Sequence, residues 1–285
     1  MIRILVPLNF TDYSLNAINT ALGLSQRTEA ELTLLHCFQE PEIDPDEIRV
    51  SSAVADETIS TEGDFYNKLE TISAQFFSKH KQSGTSSFNI NCKVIKGFPE
   101  DLIPAFSNEE GYDLIVMGTK TKGELIKASL GSITNDIIKA STATVLTVPD
   151  GIQLVSEKTN KILFLIESAP EDKESLKRLL EISAPFKVDI TAVLHRPLRA
   201  DKNDIRKMDE LRRYCEANFP DREIAYEIIT GRSFVKSMES YITENPTDLI
   251  AMTRRKRKGL LKLFIQSVTG RFLFGINAPL LIFHS

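Results

Sequence analysis

Residues 112–117 read Tyr-Asp-Leu-Ile-Val-Met, and residues 247–252 read Thr-Asp-Leu-Ile-Ala-Met. The same separation along the chain relates Ser132-Ile133-Thr134 to Ser267-Val268-Thr269. Segments that recur in one register indicate an internal duplication, because chance similarity would not keep a constant offset. The sequence therefore predicts two copies of a single structural unit.

Short apolar runs alternate with longer amphipathic segments inside each copy. The runs are too short and too uniformly apolar for helices, which is typical of strands buried on both faces. In the first copy the predicted strands are 2–8, 31–38, 90–95, 113–117 and 144–148, and the predicted helices include 13–25, 65–80 and 132–140. A βαβαβαβαβ order predicts an α/β fold with a parallel sheet and helices on both faces.

The chain of 285 residues is long enough for two domains of ordinary size. We predict one domain over 1–149, a linker over 150–159 and a second domain over 160–285. The offset between the copies is larger near their starts than near their ends, which places extra loop residues at about 40–64 of the first copy.

Composition argues against several classes of protein. A net charge of -4 and a pI near 5.7 provide no overall basic surface for nucleic acid or an anionic membrane. No stretch reaches the roughly 20 apolar residues of a spanning helix. Cys37, Cys92 and Cys215 lack the spacing of a disulfide framework or a thiolate metal site. We expect a cytoplasmic protein without a metal centre.

Polar residues that follow strands are the candidates for function, since ligands of such sheets bind beyond the carboxyl ends of the strands. Asn9 follows the first strand. Its amide suits either a turn or a hydrogen bond to a ligand, and the sequence leaves both open. Thr11 or Asp12 is predicted to cap the next helix.

The fourth strand is followed by Gly118, Lys120 and Gly123, and then by Gly131-Ser132 at the start of a helix. Backbone amides at a helix N-terminus, with lysines nearby, suit phosphate oxygens. The alternative is structural: Gly118 relieves crowding at a turn and Ser132 is an N-cap. The segment is not a Walker P-loop, because Glu124 follows the second glycine.

These residues resemble the universal stress proteins. The resemblance is carried by Ile4-Leu5-Val6-Pro7, by Leu34-Leu35-His36, and by Asp113 to Gly118 continuing through Gly131-Ser132 to Val148. It implies tandem flavodoxin-like domains of the adenine nucleotide alpha hydrolase type, each with strand order 3-2-1-4-5. It also implies an intramolecular pseudo-dimer formed through the last strands.

The resemblance implies binding of ATP or AMP by members that keep the loop Gly-x2-Gly-x9-Gly-Ser. In this chain Thr121 stands at the second glycine and Asn9 replaces an acidic residue. The expected adenosine contacts are Pro7, Leu8, Asn9 and Met117. The expected phosphate contacts are Gly118, Lys120, Thr121, Gly131, Ser132 and Ile133.

The second copy departs further from the loop, with Thr253 and Gln266 in place of two glycines, and we expect no nucleotide site there. It carries the basic run 254–258, Arg-Arg-Lys-Arg-Lys. Three interpretations stay open: a solvated loop, a contact with an anion or polynucleotide, and pairing with the acidic residues of the first copy's loop. Those acidic residues are Glu40, Glu42, Asp44, Asp46, Glu47, Asp56 and Glu57.

No catalytic motif is evident, since no nucleophile lies beside a base. His36 and His195 occupy matching places in the two copies, which favours a structural role repeated by duplication. We expect a stress-response regulatory protein with a nucleotide site in the first domain. The alternative is a scaffold that acts through dimerisation, with itself or an unknown protein partner.

Overall fold

The computed structural model describes residues 1–39, 61–81, 89–120, 132–154, 159–167, 170–255 and 278–285. The described part of the first half contains five strands and four helices, close to the predicted ones. They are β1 (Ile2–Pro7), α1 (Asp12–Ser25), β2 (Ala30–Phe38), α2 (Glu62–Lys81), β3 (Asn89–Lys96), α3 (Pro99–Glu109), β4 (Leu114–Thr119), α4 (Ser132–Ala140) and β5 (Thr144–Pro149).

The second half repeats this order over the residues that are described. Its elements are β6 (Asn160–Ile166), α5 (Pro170–Ile182), β7 (Val188–Arg196), α6 (Lys202–Asn218), β8 (Ile224–Thr230), α7 (Phe234–Glu244), β9 (Leu249–Arg254) and β10 (Leu280–His284). None of the described helices combines the length and the apolarity needed to cross a membrane.

The ten strands in the described part of the chain belong to one sheet of order β3-β2-β1-β4-β5-β10-β9-β6-β7-β8. Each half has the order 3-2-1-4-5 and parallel pairing, as the sequence resemblance implies. The halves join where β5 pairs with β10 in antiparallel orientation, with Leu146 opposite Leu281. The expected pairing through the last strands is therefore confirmed.

The inner strands of the sheet, such as β1, β4 and β5, are largely apolar because both faces of the sheet are covered there. Ile4 and Val6 of β1 belong to one buried cluster, which also includes residues of α1, α2, α5 and α6. Leu5, between them, belongs to a second cluster with residues of α3, α4 and α7. Successive side chains of a strand point to opposite faces, so a strand covered on both sides needs an unbroken apolar run.

The aspartate of the repeated Asp-Leu-Ile segment has the same role in both halves. The Asp113 carboxylate accepts a hydrogen bond from the Arg3 amide at 2.8 Å, and the Asp248 carboxylate accepts one from the Lys161 amide at 2.9 Å. The backbone completes each pair, since the Asp113 amide donates to the Arg3 carbonyl. In each half, the aspartate thus links the start of the fourth strand to the first strand through hydrogen bonds.

The two strand histidines do not occupy equivalent places. The ladders pair Ile4 with Leu32 and Ile162 with Ile190, and this register makes Leu194 the counterpart of His36. The His36 ring packs on Phe65 of α2, whereas the His195 ring packs on Phe234 of α7. The prediction of one structural role repeated by duplication is wrong, because the side chains lie on opposite faces of the sheet.

Candidate functional site

The candidate site lies at the carboxyl edge of the first half's sheet. The two strands that carry it, β1 and β4, are neighbours, with Leu5 opposite Ile115. The starts of α1 and α4 follow these strands. The described members of the predicted set are Pro7, Leu8, Asn9, Met117, Gly118, Lys120, Ser132 and Ile133. Thr121, Gly123 and Gly131 lie outside the described residues.

Gly118 is in close contact with the first turn of α1. A Cβ atom at this position would lie 1.8 Å from the Tyr13 carbonyl oxygen and 2.8 Å from the Ser14 nitrogen. Both are backbone atoms of a helix, which cannot move away without disturbing its packing. A glycine is therefore required here by the contact between β4 and α1, independently of any ligand.

Asn9 is engaged in local hydrogen bonds. Its side-chain oxygen accepts from the Thr11 hydroxyl at 2.6 Å and from the Thr11 amide at 3.3 Å, and its amide donates to the Tyr13 hydroxyl at 3.0 Å. Thr11 is the N-cap residue of α1, but its side chain makes no capping hydrogen bond. Asn9 therefore organises the turn between β1 and α1.

An aromatic cluster next to Asn9 was not predicted. Phe10 has a φ of 62°, an uncommon conformation for a bulky residue. Its ring lies 4.4 Å from the His36 ring and stacks on Phe65 at 6.2 Å between centroids, and the Lys68 ammonium lies 4.2 Å from the Phe10 centroid. These contacts hold Phe10 in its strained conformation.

His36 anchors this cluster to the backbone. Its Nδ1 atom lies 2.8 Å from the Leu8 carbonyl oxygen, and since a carbonyl only accepts, Nδ1 carries the proton. Burial lowers the pKa of His36, opposed by the hydrogen bond to Leu8, with the charge of Lys68 lowering it further. The buried ring is therefore neutral at pH 7.

We expect the protein to lose part of its stability as the pH falls below about 6.5, the ordinary pKa of histidine. In the unfolded chain His36 takes up a proton in this range, whereas the folded state resists protonation. The measurement is urea unfolding at pH 7.5 and 5.5. A His36→Leu variant, which copies Leu194 of the second half, should show a shallower pH dependence. Equal dependence in the two proteins would contradict this role for His36.

The remaining described residues of the set differ in exposure. Lys120 and Ser132 are exposed, and Ser132 is the first residue of α4. Ile133 is 42% exposed, whereas Met117 is buried in the cluster formed with α3 and α4. The lysine, the serine and the start of α4 thus face solvent, while Met117 is part of the core.

The corresponding edge of the second half is occupied by ion pairs. Arg255 follows β9 and pairs with Glu167, with Asp172 at 2.6 Å and with Glu171 at 3.6 Å. The Asp172 carboxylate also accepts from the Glu167 amide at 3.0 Å. The shared register of the halves places Glu167 at the position of Asn9, and Arg255 at that of Lys120. The second half therefore fills this edge with its own side chains.

The interpretation of the basic run as a solvated loop is wrong for its first two residues. Arg254 lies in β9 and is buried, and burial lowers the pKa of its guanidinium. The Arg255 side chain is only 9% exposed, and the acidic partners described for it belong to the second half. Residues 256–258 and the acidic residues of 40–57 lie outside the described part of the chain.

Comparison with known proteins identifies the family. The sequence signature of the universal stress protein family matches residues 1–149, more than half of the chain. The chain belongs to the universal stress protein family.

Relatives within the family align with half of this chain. Universal stress protein MJ0577 of Methanocaldococcus jannaschii is 28% identical over 151 residues, covering 51% of this chain and 93% of the relative. Universal stress protein YxiE of Bacillus subtilis is 24% identical over 148 residues, covering 51% of this chain and 97% of the relative.

A solved universal stress protein matches the fold of the whole chain. The crystal structure of a universal stress protein from Archaeoglobus fulgidus superposes with a TM-score of 0.72 at 16% identity, covering 99% of this chain and 98% of that chain. This likeness extends the universal stress protein fold to the second half.

Within the described ranges of this universal stress protein, no group of three or more His, Cys, Asp or Glu side chains is placed to hold a metal ion. The carboxylates that do come together, Glu167, Glu171 and Asp172, surround Arg255. Sequence reasoning missed this cluster. The repeat register could have revealed it, because it aligns Arg255 and Glu167 with two residues of the predicted nucleotide site.

Proposed function

We propose that the chain is a cytoplasmic stress-response regulatory protein that binds an adenine nucleotide, ATP or AMP, in its first half alone. The proposal treats 1–149 and 160–285 as domains joined by the linker 150–159. The main support for this proposal is the contrast between the two halves at the carboxyl ends of their strands. Arg255 fills the edge of the second half, whereas Lys120, its counterpart, is exposed.

The phosphate side of the site rests on α4 and the lysine. An α-helix carries partial positive charge and free amides at its N-terminus, where an anion is stabilised. Ser132 begins α4 and is exposed, so its hydroxyl is accessible to a phosphate oxygen. Lys120 precedes this helix in the chain and supplies a full positive charge. Gly118, Thr121, Gly131 and Ile133 complete the proposed phosphate contacts.

The adenosine side rests on the end of β1. Pro7, Leu8, Asn9 and Met117 are the proposed contacts. The aromatic cluster of Phe10, His36 and Phe65 lies beside them, and aromatic rings provide surfaces on which a base stacks favourably. The proposal assigns no catalytic residue, so the protein would act by binding and not by turnover.

We expect Lys120→Gln to weaken ATP binding about tenfold or more, because a charged hydrogen-bond partner of the phosphates is lost. Isothermal titration calorimetry measures the change. The matched control is Lys139→Gln in the last turn of α4, where the lysine pairs with Asp136 at 2.6 Å. Equal affinities of the two variants would count against the proposed phosphate site.

A specific observation favours the alternative, a scaffold that acts through dimerisation and protein partners without nucleotide. Asn9 is engaged in hydrogen bonds with Thr11 and Tyr13, and it offers no negative charge to a ribose. The purified protein distinguishes the two functions: absorbance at 260 nm from co-purified nucleotide supports the site, and calorimetry without ATP or AMP binding supports the scaffold.

A further inference from the structure

A cavity lies between the two halves, on the face of the sheet that carries α1 and α5. This cavity, called the inner cavity below, has a volume of about 70 Å³ and an almost entirely apolar wall. The wall includes Leu24, Leu146, Leu154, Ile182, Phe186 and Leu281.

Both halves build the inner cavity from corresponding positions. Leu146 and Leu281 are direct partners in the antiparallel ladder between β5 and β10. Leu24 lies in the last turn of α1, and Ile182 is the last residue of α5. Leu154, which follows β5, completes the wall. The cavity is therefore a product of the tandem arrangement, which brings the ends of the two helices together above the junction.

A second cavity of about 250 Å³, called the outer cavity below, adjoins the first, and Leu24, Leu114 and Ile182 line both. Its wall includes charged residues, namely Arg178, Glu181 and Asp113. The two cavities thus share a wall, and the second is larger and more polar.

The two carboxylates of the outer cavity have partners. Asp113 accepts from the Arg3 amide at 2.8 Å, and Glu181 lies 4.0 Å from the Lys177 ammonium. The interaction described for Arg178 is of a different kind: its guanidinium lies over the Phe283 ring, 5.9 Å from the centroid. Contact with a ring face does not use the guanidinium N–H groups as hydrogen-bond donors to a carboxylate, so they stay available to an anion.

We propose that this cleft binds a medium-chain aliphatic carboxylate, with the alkyl chain in the inner cavity and the carboxylate at Arg178. Empty apolar cavities in proteins take up apolar ligands, because water gains no hydrogen bonds there. Guanidinium and carboxylate form the strongest class of hydrogen-bonded ion pair in proteins. The proposed ligand site is separate from the nucleotide site and does not depend on it.

Calorimetric titration of the full-length chain with hexanoate, octanoate and decanoate tests the proposal. Affinity should rise about fourfold for each methylene that enters the inner cavity. Arg178→Gln should weaken octanoate binding about tenfold and leave octanol binding unchanged, since octanol has no charge to lose. Absence of saturable octanoate binding would overturn the proposal.

Variants that fill the cavity provide a second test. Leu154→Phe and Leu24→Phe should each abolish octanoate binding, whereas Leu198→Phe, at a side chain that is 70% exposed, should leave it intact. Circular dichroism confirms that each variant is folded. If neither of these two variants folds, the proposal is tested by the Arg178→Gln variant alone, through its affinities for octanoate and for octanol. Octanoate binding that persists in a folded filled variant would overturn the proposal, as would binding to phosphatidylcholine vesicles without binding of free octanoate.

Discussion

We expect Gly118→Ala to lower the free energy of unfolding by about 3 kcal/mol or more, the upper range for an overpacked position. The added methyl group would lie 1.8 Å from the Tyr13 carbonyl oxygen, a distance that atoms cannot adopt without displacement. The obstructing atoms belong to the helix backbone, so relief requires α1 to move away from β4. Urea unfolding followed by circular dichroism measures the loss.

The same substitution at Gly63 is the matched control. Gly63 lies in the first turn of α2, where a Cβ atom would meet its nearest neighbour at 3.7 Å, an ordinary contact. Alanine favours a helix over glycine by roughly 0.5 to 1 kcal/mol, so Gly63→Ala should be neutral or slightly stabilising. A Gly118→Ala variant as stable as the wild type would show that β4 and α1 do not pack as described.

We expect Arg255→Met to destabilise the protein by about 3 to 5 kcal/mol, the range found when one partner of a buried ion pair is removed. The loss arises mainly from Asp172, which is 2% exposed and would keep a buried charge without its guanidinium partner. Urea unfolding at pH 7 measures the effect.

Two further variants distinguish a buried ion pair from a general effect of losing an arginine. Arg206 pairs with Glu210 at 2.7 Å, but both side chains are more than half exposed, so Arg206→Met should cost only about 0.5 kcal/mol or less. Combining Arg255→Met with Asp172→Asn should cost less than the sum of the single changes. Additive losses would mean that the two residues do not interact.

The parallel strands could be predicted from the sequence because their features are periodic, namely uniformly apolar runs separated by amphipathic segments. The strand order was implied by the resemblance to the universal stress proteins, and the structure confirms it in both halves. The repeated aspartate was part of the evidence for duplication, and its hydrogen bond to the first strand explains its presence at positions 113 and 248.

The histidines show where such reasoning fails. Aligning His36 with His195 requires a shift of one residue relative to the ladders, and a shift of one residue in a strand reverses the face. Similar residues in neighbouring positions therefore led to a wrong prediction of equivalence.

The site was less predictable than the fold, because its properties depend on which side chains turn inward. A run of five basic residues is usually solvated, and nothing local to the run indicates that Arg255 meets Asp172. The backbone conformation of Phe10 could not be predicted either, because no turn motif in the sequence indicates a positive φ at a phenylalanine. The roles of Thr121 and Gly131 in phosphate binding stay predictions.

We propose that the first half of this tandem universal stress protein binds nucleotide, whereas the second half has closed its corresponding edge with ion pairs. The most direct test is the stoichiometry of ATP binding to the full-length chain, measured by calorimetry. We expect one nucleotide per chain, with affinity reduced by Lys120→Gln and unchanged by Arg206→Met. Two nucleotides per chain, or none, would contradict it.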